Sequence, residues 1–208
     1  MYIMLRFLII VCSFLFFSSV NADDRYRTIS KKEEELISRV IQSLAKADRE
    51  ESKINDSVLK LQGMSGTKFR HFLNNLCAFP GTRYFEIGTW LGSTLISAMY
   101  GNNGVLEDAV GCDNFCEFGA SEKELWTSIH SLAPNSPARF LNQDCFSIDL
   151  KAVFPKPVTV YFYDGYHGYK EQEWAFTHFD SILDDVFIAI VDDWNLDAPR
   201  REIGRAHV

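Results

Sequence analysis

Five short apolar segments, separated by turns and helical patterns, most strongly limit the folds open to this 208-residue chain. Their β-branched and aromatic residues favour buried strands, and helices between consecutive strands imply a parallel sheet with helices on both faces. The sequence therefore predicts an α/β fold, a Rossmann-like, doubly wound and mostly parallel sheet. The predicted strands span residues 84–87, 109–112, 138–141, 158–163 and 186–191.

An acidic residue lies at the end of each predicted strand. Because ligands of open α/β sheets bind at the carboxyl ends of the strands, we expect these acids to surround one crevice. Turns also favour aspartate, but that preference alone does not account for an acid at all five strand ends. The five acids are Glu86, Asp113, Asp144, Asp164 and Asp192.

The first strand leads into a glycine-punctuated turn with the sequence Glu-Ile-Gly-Thr-Trp-Leu-Gly-Ser-Thr. Gly88 and Gly92 allow the backbone to turn sharply, and Ser93 and Thr94 are suitable N-cap residues for the helix that follows. The turn is not the dinucleotide-binding fingerprint, because Trp90 occupies the position of its middle glycine. It is not a P-loop either, because no Gly-Lys-Ser/Thr follows.

An acid two residues before the first glycine, followed by Gly-x-x-x-Gly-Ser, resembles the first motif of class I S-adenosylmethionine-dependent methyltransferases, in the variant of catechol O-methyltransferase-like enzymes. The resemblance covers residues 63–200 and implies that S-adenosylmethionine is the cofactor. A carboxylate near the turn suits a ligand with cationic sulfonium and amino groups, and the acid after the second strand corresponds to the one that accepts the ribose hydroxyls. The cofactor-binding residues that the resemblance implies are Glu86, Gly88, Thr89, Trp90, Gly92, Ser93, Asp113, Asn114, Asp144 and Cys145.

The ends of the fourth and fifth strands, Tyr-Asp-Gly-Tyr-His and Val-Asp-Asp-Trp-Asn, resemble the Asp-x-x-His and Asp-Asp motifs of a bacterial-type family of small-molecule methyltransferases. In metal-dependent O-methyltransferases, acids at these positions bind Mg²⁺, which prefers oxygen ligands. The resemblance implies a Mg²⁺ site at Asp164, Asp192 and Asp193, and it implies catalytic roles for His167 as general base and for Asp164. Three alternatives stay open: Asp164 contacts the amino group of the cofactor, His167 is a structural loop residue, and Asp193 caps a helix.

These features predict an enzyme that transfers a methyl group from S-adenosylmethionine to a small-molecule hydroxyl or amine. The net charge of −7 argues against a nucleic-acid partner, which would favour a basic face. One alternative is a catalytically inactive, exported or membrane-tethered binding protein that keeps the fold. Another is an NAD-type enzyme on a related sheet, which the missing third glycine of the fingerprint disfavours.

The chain divides into four predicted parts. Residues 1–22 have one early arginine, an apolar run and a small-residue ending, which is typical of a secretory signal peptide and predicts export; an uncleaved membrane anchor is the alternative. Residues 23–62 form an N-terminal helical segment, in which a helix over residues 29–54 begins with a capping box of Ser30 and Glu33. Residues 63–202 form the methyltransferase domain. Among the cysteines beyond residue 22, a disulfide between Cys116 and Cys145 is sterically conceivable.

The fourth part is the C-terminus, residues 203–208, which reads Ile-Gly-Arg-Ala-His-Val. These six residues match one translation of a common sequencing adapter, so we expect the natural sequence to end or diverge near Arg201. The fold that the resemblance implies would then lack its last two strands. In that case residues 186–191 would form an uncovered sheet edge, which promotes aggregation.

Overall fold

A seven-stranded sheet in the order β2-β1-β7-β6-β3-β4-β5 is the centre of the computed structural model, which describes residues 7–12, 15–18 and 28–192. The strands β5, β4, β3, β6 and β7 all run parallel, and this confirms the predicted Rossmann-like architecture. The strands are β1 (Phe7–Cys12), β2 (Leu15–Ser18), β3 (Thr82–Ile87), β4 (Leu106–Asp113), β5 (Ala138–Asn142), β6 (Val158–Tyr163) and β7 (Leu183–Val191).

Helices connect the parallel strands, as a parallel sheet requires. The predicted capping box begins the first helix: the Ser30 hydroxyl accepts from the Glu33 amide at 3.3 Å, and the Glu33 carboxylate accepts from the Ser30 amide at 2.6 Å. Within the described ranges, no helix combines the length and apolar composition needed to cross a bilayer. The helices are α1 (Lys31–Asp48), α2 (Asp56–Leu59), α3 (Thr67–Leu76), α4 (Ser93–Met99), α5 (Glu122–Leu132), α6 (Leu150–Val153) and α7 (Tyr169–Thr177).

Side chains alternate across the sheet and build two apolar layers. On β3, Tyr84 packs in one layer with residues of α1, α3, α4 and α5, while the next residue, Phe85, packs in the other with α7. The second layer is rich in aromatic rings, and Phe85 lies 5.6 Å from both Tyr161 and Phe179 between ring centroids. Both faces of the central strands are therefore buried, which explains their nearly continuous apolar sequences.

The sheet order changes direction at β3. From β3 the chain proceeds outward through β4 and β5, and it then returns to place β6 and β7 on the other side of β3. At the boundary between β3 and β6, the Asp164 amide donates to the Ile87 carbonyl at 2.9 Å. Such a switch point opens a crevice at the carboxyl ends of the strands, and the acids at the strand ends lie along this edge.

The N-terminal residues were predicted to lie outside the fold, but two described segments of them are part of the sheet. Phe7–Cys12 forms β1, which pairs in parallel with residues 186–191 of β7, and β2 pairs antiparallel with β1. The edge of β7 that the sequence left uncovered is thus covered. The physical reason is that an apolar, β-branched run has the composition of a signal-peptide core and can equally well pair with an unpaired strand edge. The signal peptide itself stays a prediction.

Several predicted element boundaries also changed. The short helix α2, which was not predicted, begins after its N-cap Asn55, whose side chain accepts from the amides of Ser57 and Val58. The helix predicted over residues 29–54 is shorter, since it ends at Asp48. Cys116 and Cys145 are both free thiols, so no disulfide joins them. The predicted tail, residues 203–208, lies outside the described residues.

Candidate functional site

The turn after β3 is held tightly against the end of β6. Gly88 has a φ of 90°, and a Cβ placed there would lie 1.8 Å from the Asp164 carbonyl oxygen. Gly92 has a φ of 83°, and a Cβ there would lie 2.4 Å from the Leu125 side chain. Both glycines are therefore required, the first by close contact between two backbones at the switch point and the second by packing against α5.

The helix α4 begins differently from the prediction. Its N-cap is Gly92, which makes no side-chain capping bond, so Ser93 and Thr94 lie inside the first turn instead of capping it. Both are buried. The Thr94 hydroxyl lies 3.1 Å from Glu86 Oε1 and donates to it. The preference of serine and threonine for N-caps was overridden because only glycine takes the left-handed conformation at this position without strain.

Glu86 is a fully buried acid directly behind the turn. Its Oε2 accepts a 2.6 Å hydrogen bond from the Tyr84 hydroxyl, and its Oε1 accepts from Thr94. Burial raises the pKa of Glu86 to about 7, although the hydrogen bonds from Tyr84 and Thr94 oppose that rise. A carboxyl in this state is neutral or negative near pH 7, depending on what lies beside it.

Asp113, at the end of β4, connects two loops. Its Oδ2 accepts from the Trp90 amide at 2.7 Å and its Oδ1 from the Phe115 amide at 2.7 Å. Both donors have left-handed backbones, with φ of 44° at Trp90 and 55° at Phe115. These conformations cost energy for non-glycine residues, so the two hydrogen bonds to Asp113 hold the turn after β3 and the loop after β4 in a defined arrangement.

The remaining predicted cofactor-binding residues lie along the same edge and differ in burial. Thr89 is buried within the turn after β3, and Asn114 is exposed after β4. Asp144 is exposed at the end of β5, and its Oδ1 accepts from the Phe146 amide at 3.0 Å. Burial raises the pKa of the Cys145 thiol to about 12, so the thiol is neutral near pH 7.

The predicted catalytic and metal residues lie at the ends of β6 and β7. Asp164 follows β6 and Asp192 follows β7, and the Asp192 amide donates to the Tyr163 carbonyl at 3.1 Å. Gln172 lies 3.1 Å from His167, between Nε2 of the amide and Nδ1 of the ring. Among residues 28–192, no three His, Cys, Asp or Glu side chains are grouped so that they could hold a metal ion. Asp193 lies outside the described residues.

The structure resembles a solved methyltransferase. No protein-family model matches the sequence, and no curated protein matches it. The crystal structure of TrmN from Thermus thermophilus, a methyltransferase with the class I fold, superposes with a TM-score of 0.51 at 20% sequence identity. The match covers 70% of this chain and 43% of TrmN, so the chain spans less than half the length of that protein. This likeness shows a Rossmann-like α/β fold with a parallel sheet.

Two groups at this edge of the sheet fit an adenosyl ligand. Each oxygen of Asp113 has one amide donor, and a carboxylate has about four acceptor positions, so the side chain retains capacity for a pair of hydroxyls. The Trp90 Nε1 is buried and has no hydrogen-bond partner within the described residues. Because buried donors without partners are costly, this indole offers a position for an acceptor atom of a ligand.

Sequence reasoning missed three residues that shape the site. Tyr84 and Thr94 hold the carboxyl of Glu86, and Gly63 lies so close to Ser93 that a Cβ would be 2.0 Å from the Ser93 hydroxyl. The i, i+2 spacing of Tyr84 and Glu86 was a usable signal, because it places both side chains on one face of a strand. No sequence pattern indicated that the loop containing Gly63 would lie against the start of α4.

Proposed function

We propose that this protein transfers a methyl group from S-adenosylmethionine to a hydroxyl or amine of a small molecule. The observation that carries the proposal is the arrangement of Glu86, the turn at Gly88 and Asp113 around the switch point of a methyltransferase-type sheet. When bound, the cofactor supplies an activated methyl group on a sulfonium. In this proposal Asp113 accepts the ribose hydroxyls, and Glu86 offsets positive charge at the methionine end.

The charge at this edge supports a small acceptor over RNA. The loops at residues 88–92, 113–120, 143–149 and 164–168 contain no lysine or arginine. Nucleic-acid binding relies on lysine and arginine contacts to phosphates, so these four described loops do not offer the side chains that RNA would need. The acids in these four loops are Asp113, Glu117, Asp144, Asp149 and Asp164.

Ion pairing increases the difference in charge between the two edges of the sheet. At the amino ends of the strands, Glu107 pairs with Arg83 and Lys156, and Asp108 pairs with Arg139. At the carboxyl ends, Asp113, Glu117 and Asp144 form no ion pair within the described part of the chain. The field at the proposed site is therefore negative, which favours cationic or neutral ligands.

His167 is the proposed general base. The Gln172 amide that approaches Nδ1 is fully buried, and its Oε1 has no hydrogen-bond partner within the described residues. Rotation of this amide by half a turn would let Oε1 accept a hydrogen bond from Nδ1–H, so that Nε2 is the ring nitrogen that takes a proton from an acceptor hydroxyl or ammonium. Gln172 would then orient the ring, and Nε2 of His167 would receive the proton.

A transfer assay with the full chain and S-adenosylmethionine labelled in the methyl group tests the proposal. Two acceptor pools are offered, bulk tRNA and a mixture of small phenols and amines. We expect label to appear in small molecules. Label that enters only tRNA would contradict the acceptor class, and the absence of any cofactor binding would contradict the function itself.

The role of His167 is tested in the same assay. His167→Gln should lower the transfer rate by about 10²-fold or more, as the loss of a general base does. His130→Gln is the matched control, because His130 is exposed in the last turn of α5, away from the strand ends. Equal rates for the two variants would contradict the assignment of the base.

A further inference from the structure

Glu86 is a buried acid without a countercharge. It is fully buried, and no lysine, arginine or histidine within residues 28–192 forms an ion pair with it. Its two oxygens accept from neutral hydroxyls of Tyr84 and Thr94. An isolated buried carboxylate is costly, so the proton is retained unless positive charge comes near.

The titratable groups around Glu86 do not supply that charge. From its own strand Tyr84 faces it, from the end of α3 the thiol of Cys77, and from the end of β4 the carboxylate of Asp113. Burial raises the pKa of both Tyr84 and Cys77, to about 12 for the thiol, so both are neutral near pH 7. The guanidinium of Arg39 on α1 is bonded to the Leu76 carbonyl and to Thr82 Oγ1 at 2.8 Å.

We propose that Glu86 holds a proton in the ligand-free protein and releases it to solvent when a cationic ligand binds beside the turn at Gly88, while Tyr84 and Thr94 stabilise the carboxylate that forms. The inference rests on the proposed function, because it assigns this role to the charged methionine end of S-adenosylmethionine. The turn thereby selects ligands by charge: a cation gains a carboxylate partner, and a neutral analogue does not.

The mechanism needs no direct contact between ligand and carboxylate. Charges a few ångströms apart interact strongly where water is excluded, and Glu86 lies immediately behind the backbone of the turn. The two hydroxyl donors are already in position, at 2.6 Å and 3.1 Å, so ionisation requires no rearrangement around the carboxyl. The O–H bond of the acid breaks, and its proton passes to the buffer.

Calorimetric titration of the full chain with S-adenosylmethionine, in two buffers of different ionisation enthalpy, measures the released proton. At pH 6.5 the amino group of the ligand is itself charged, and we expect release of about 0.7 proton per ligand. Glu86→Gln should bind without releasing a proton. Relative to this variant, the affinity of the wild-type protein should rise about tenfold from pH 6 to pH 8.

Two further experiments separate the effect of the ligand's charge from the effect of filling the site. 5′-Methylthioadenosine lacks the amino-acid tail and the positive charge, so it should bind without proton release. Tyr84→Phe removes one donor to the carboxylate and should weaken binding several-fold at pH 6.5. Tyr161→Phe is its control, because Tyr161 is equally buried but bonds to the Ala175 carbonyl in the opposite layer.

The outcomes distinguish this inference from the proposed function. Binding with equal proton release in wild type and Glu86→Gln would overturn the inference and leave the function intact. Equal proton release by 5′-methylthioadenosine, or equal effects of Tyr84→Phe and Tyr161→Phe, would also overturn it. No binding of S-adenosylmethionine by the wild-type protein would contradict both.

Discussion

At the scale of single residues, Glu86 links the stability of the protein to pH. Burial raises its pKa from 4.5 to about 7, so the folded protein binds this proton more tightly than the unfolded chain does. The stabilisation is complete below pH 4.5 and is lost as the pH rises through 7. Glu86→Gln, which stays neutral, should therefore unfold with a free energy up to about 3 kcal/mol higher than wild type at pH 8.

Chemical denaturation of both proteins at pH 4.5 and pH 8 checks this prediction. The advantage of Glu86→Gln should disappear at the lower pH. Glu117→Gln, in an exposed loop, is the control and should show no comparable change between the two conditions. An advantage of Glu86→Gln that is the same at both pH values would show that the change repacks the core and does not remove a charge.

The positions of single acids were predictable, whereas their partners were not. Glu86 and Asp113 lie at strand ends, and hydrophobic patterning locates a strand end to within a residue or two. The donors to these acids come from separate elements: Thr94 approaches Glu86 from α4, and the amides of Trp90 and Phe115 reach Asp113. Such contacts depend on the relative placement of elements, which a pattern along one chain does not contain.

At the scale of elements, close contact restricts the residue type at position 88, in the turn between β3 and α4, more than backbone conformation does. Gly88 and Gly104 both have a φ of 90°, but a Cβ at Gly88 meets the Asp164 carbonyl, while a Cβ at Gly104 meets nothing within 4 Å. Gly104→Ala should cost about 1 kcal/mol, from strain alone. Gly88→Ala should cost more than about 3 kcal/mol, because β3 and β6 must separate.

Thermal or chemical unfolding of the two variants isolates the contact, since φ is 90° at both positions. Comparable losses of stability would mean that the turn can move away from β6. The strands of this region were predicted to within a few residues because turn residues bound their apolar, β-branched and aromatic runs. The short helix α2 was missed because its four residues, Asp-Ser-Val-Leu, are too few for a helical period to be recognised.

At the scale of the whole molecule, the stability of the sheet depends on the strand that pairs with the edge of β7. The pairing of β1 with residues 186–191 places β7 inside the sheet, where the sequence alone predicted an exposed edge. Removal of residues 1–22 should expose this edge, accelerate hydrogen exchange in residues 183–191 and produce soluble aggregates. Residues 106–113 in β4, on the other side of the sheet, are the internal control.

Exchange measured by mass spectrometry, together with light scattering, checks this prediction. A truncated protein that is monomeric and shows unchanged exchange in residues 183–191 would contradict the structural role of β1.

The overall α/β class was predictable, because the alternation of strands and helices leaves few arrangements. The pairing of β1 with β7 was not predictable, because one apolar run matches a signal sequence and a strand equally well.

The central claim is that the carboxyl edge of the sheet binds S-adenosylmethionine, and its most direct test is a titration of the full chain with this ligand. The account predicts saturable binding to one site. Asp113→Ala should lower the affinity at least about tenfold, because each lost charged hydrogen bond costs over 1 kcal/mol. Glu117→Ala, a nearby acid without such a role, should bind as wild type does. No saturable binding, or equal affinity of Asp113→Ala and wild type, would contradict the account.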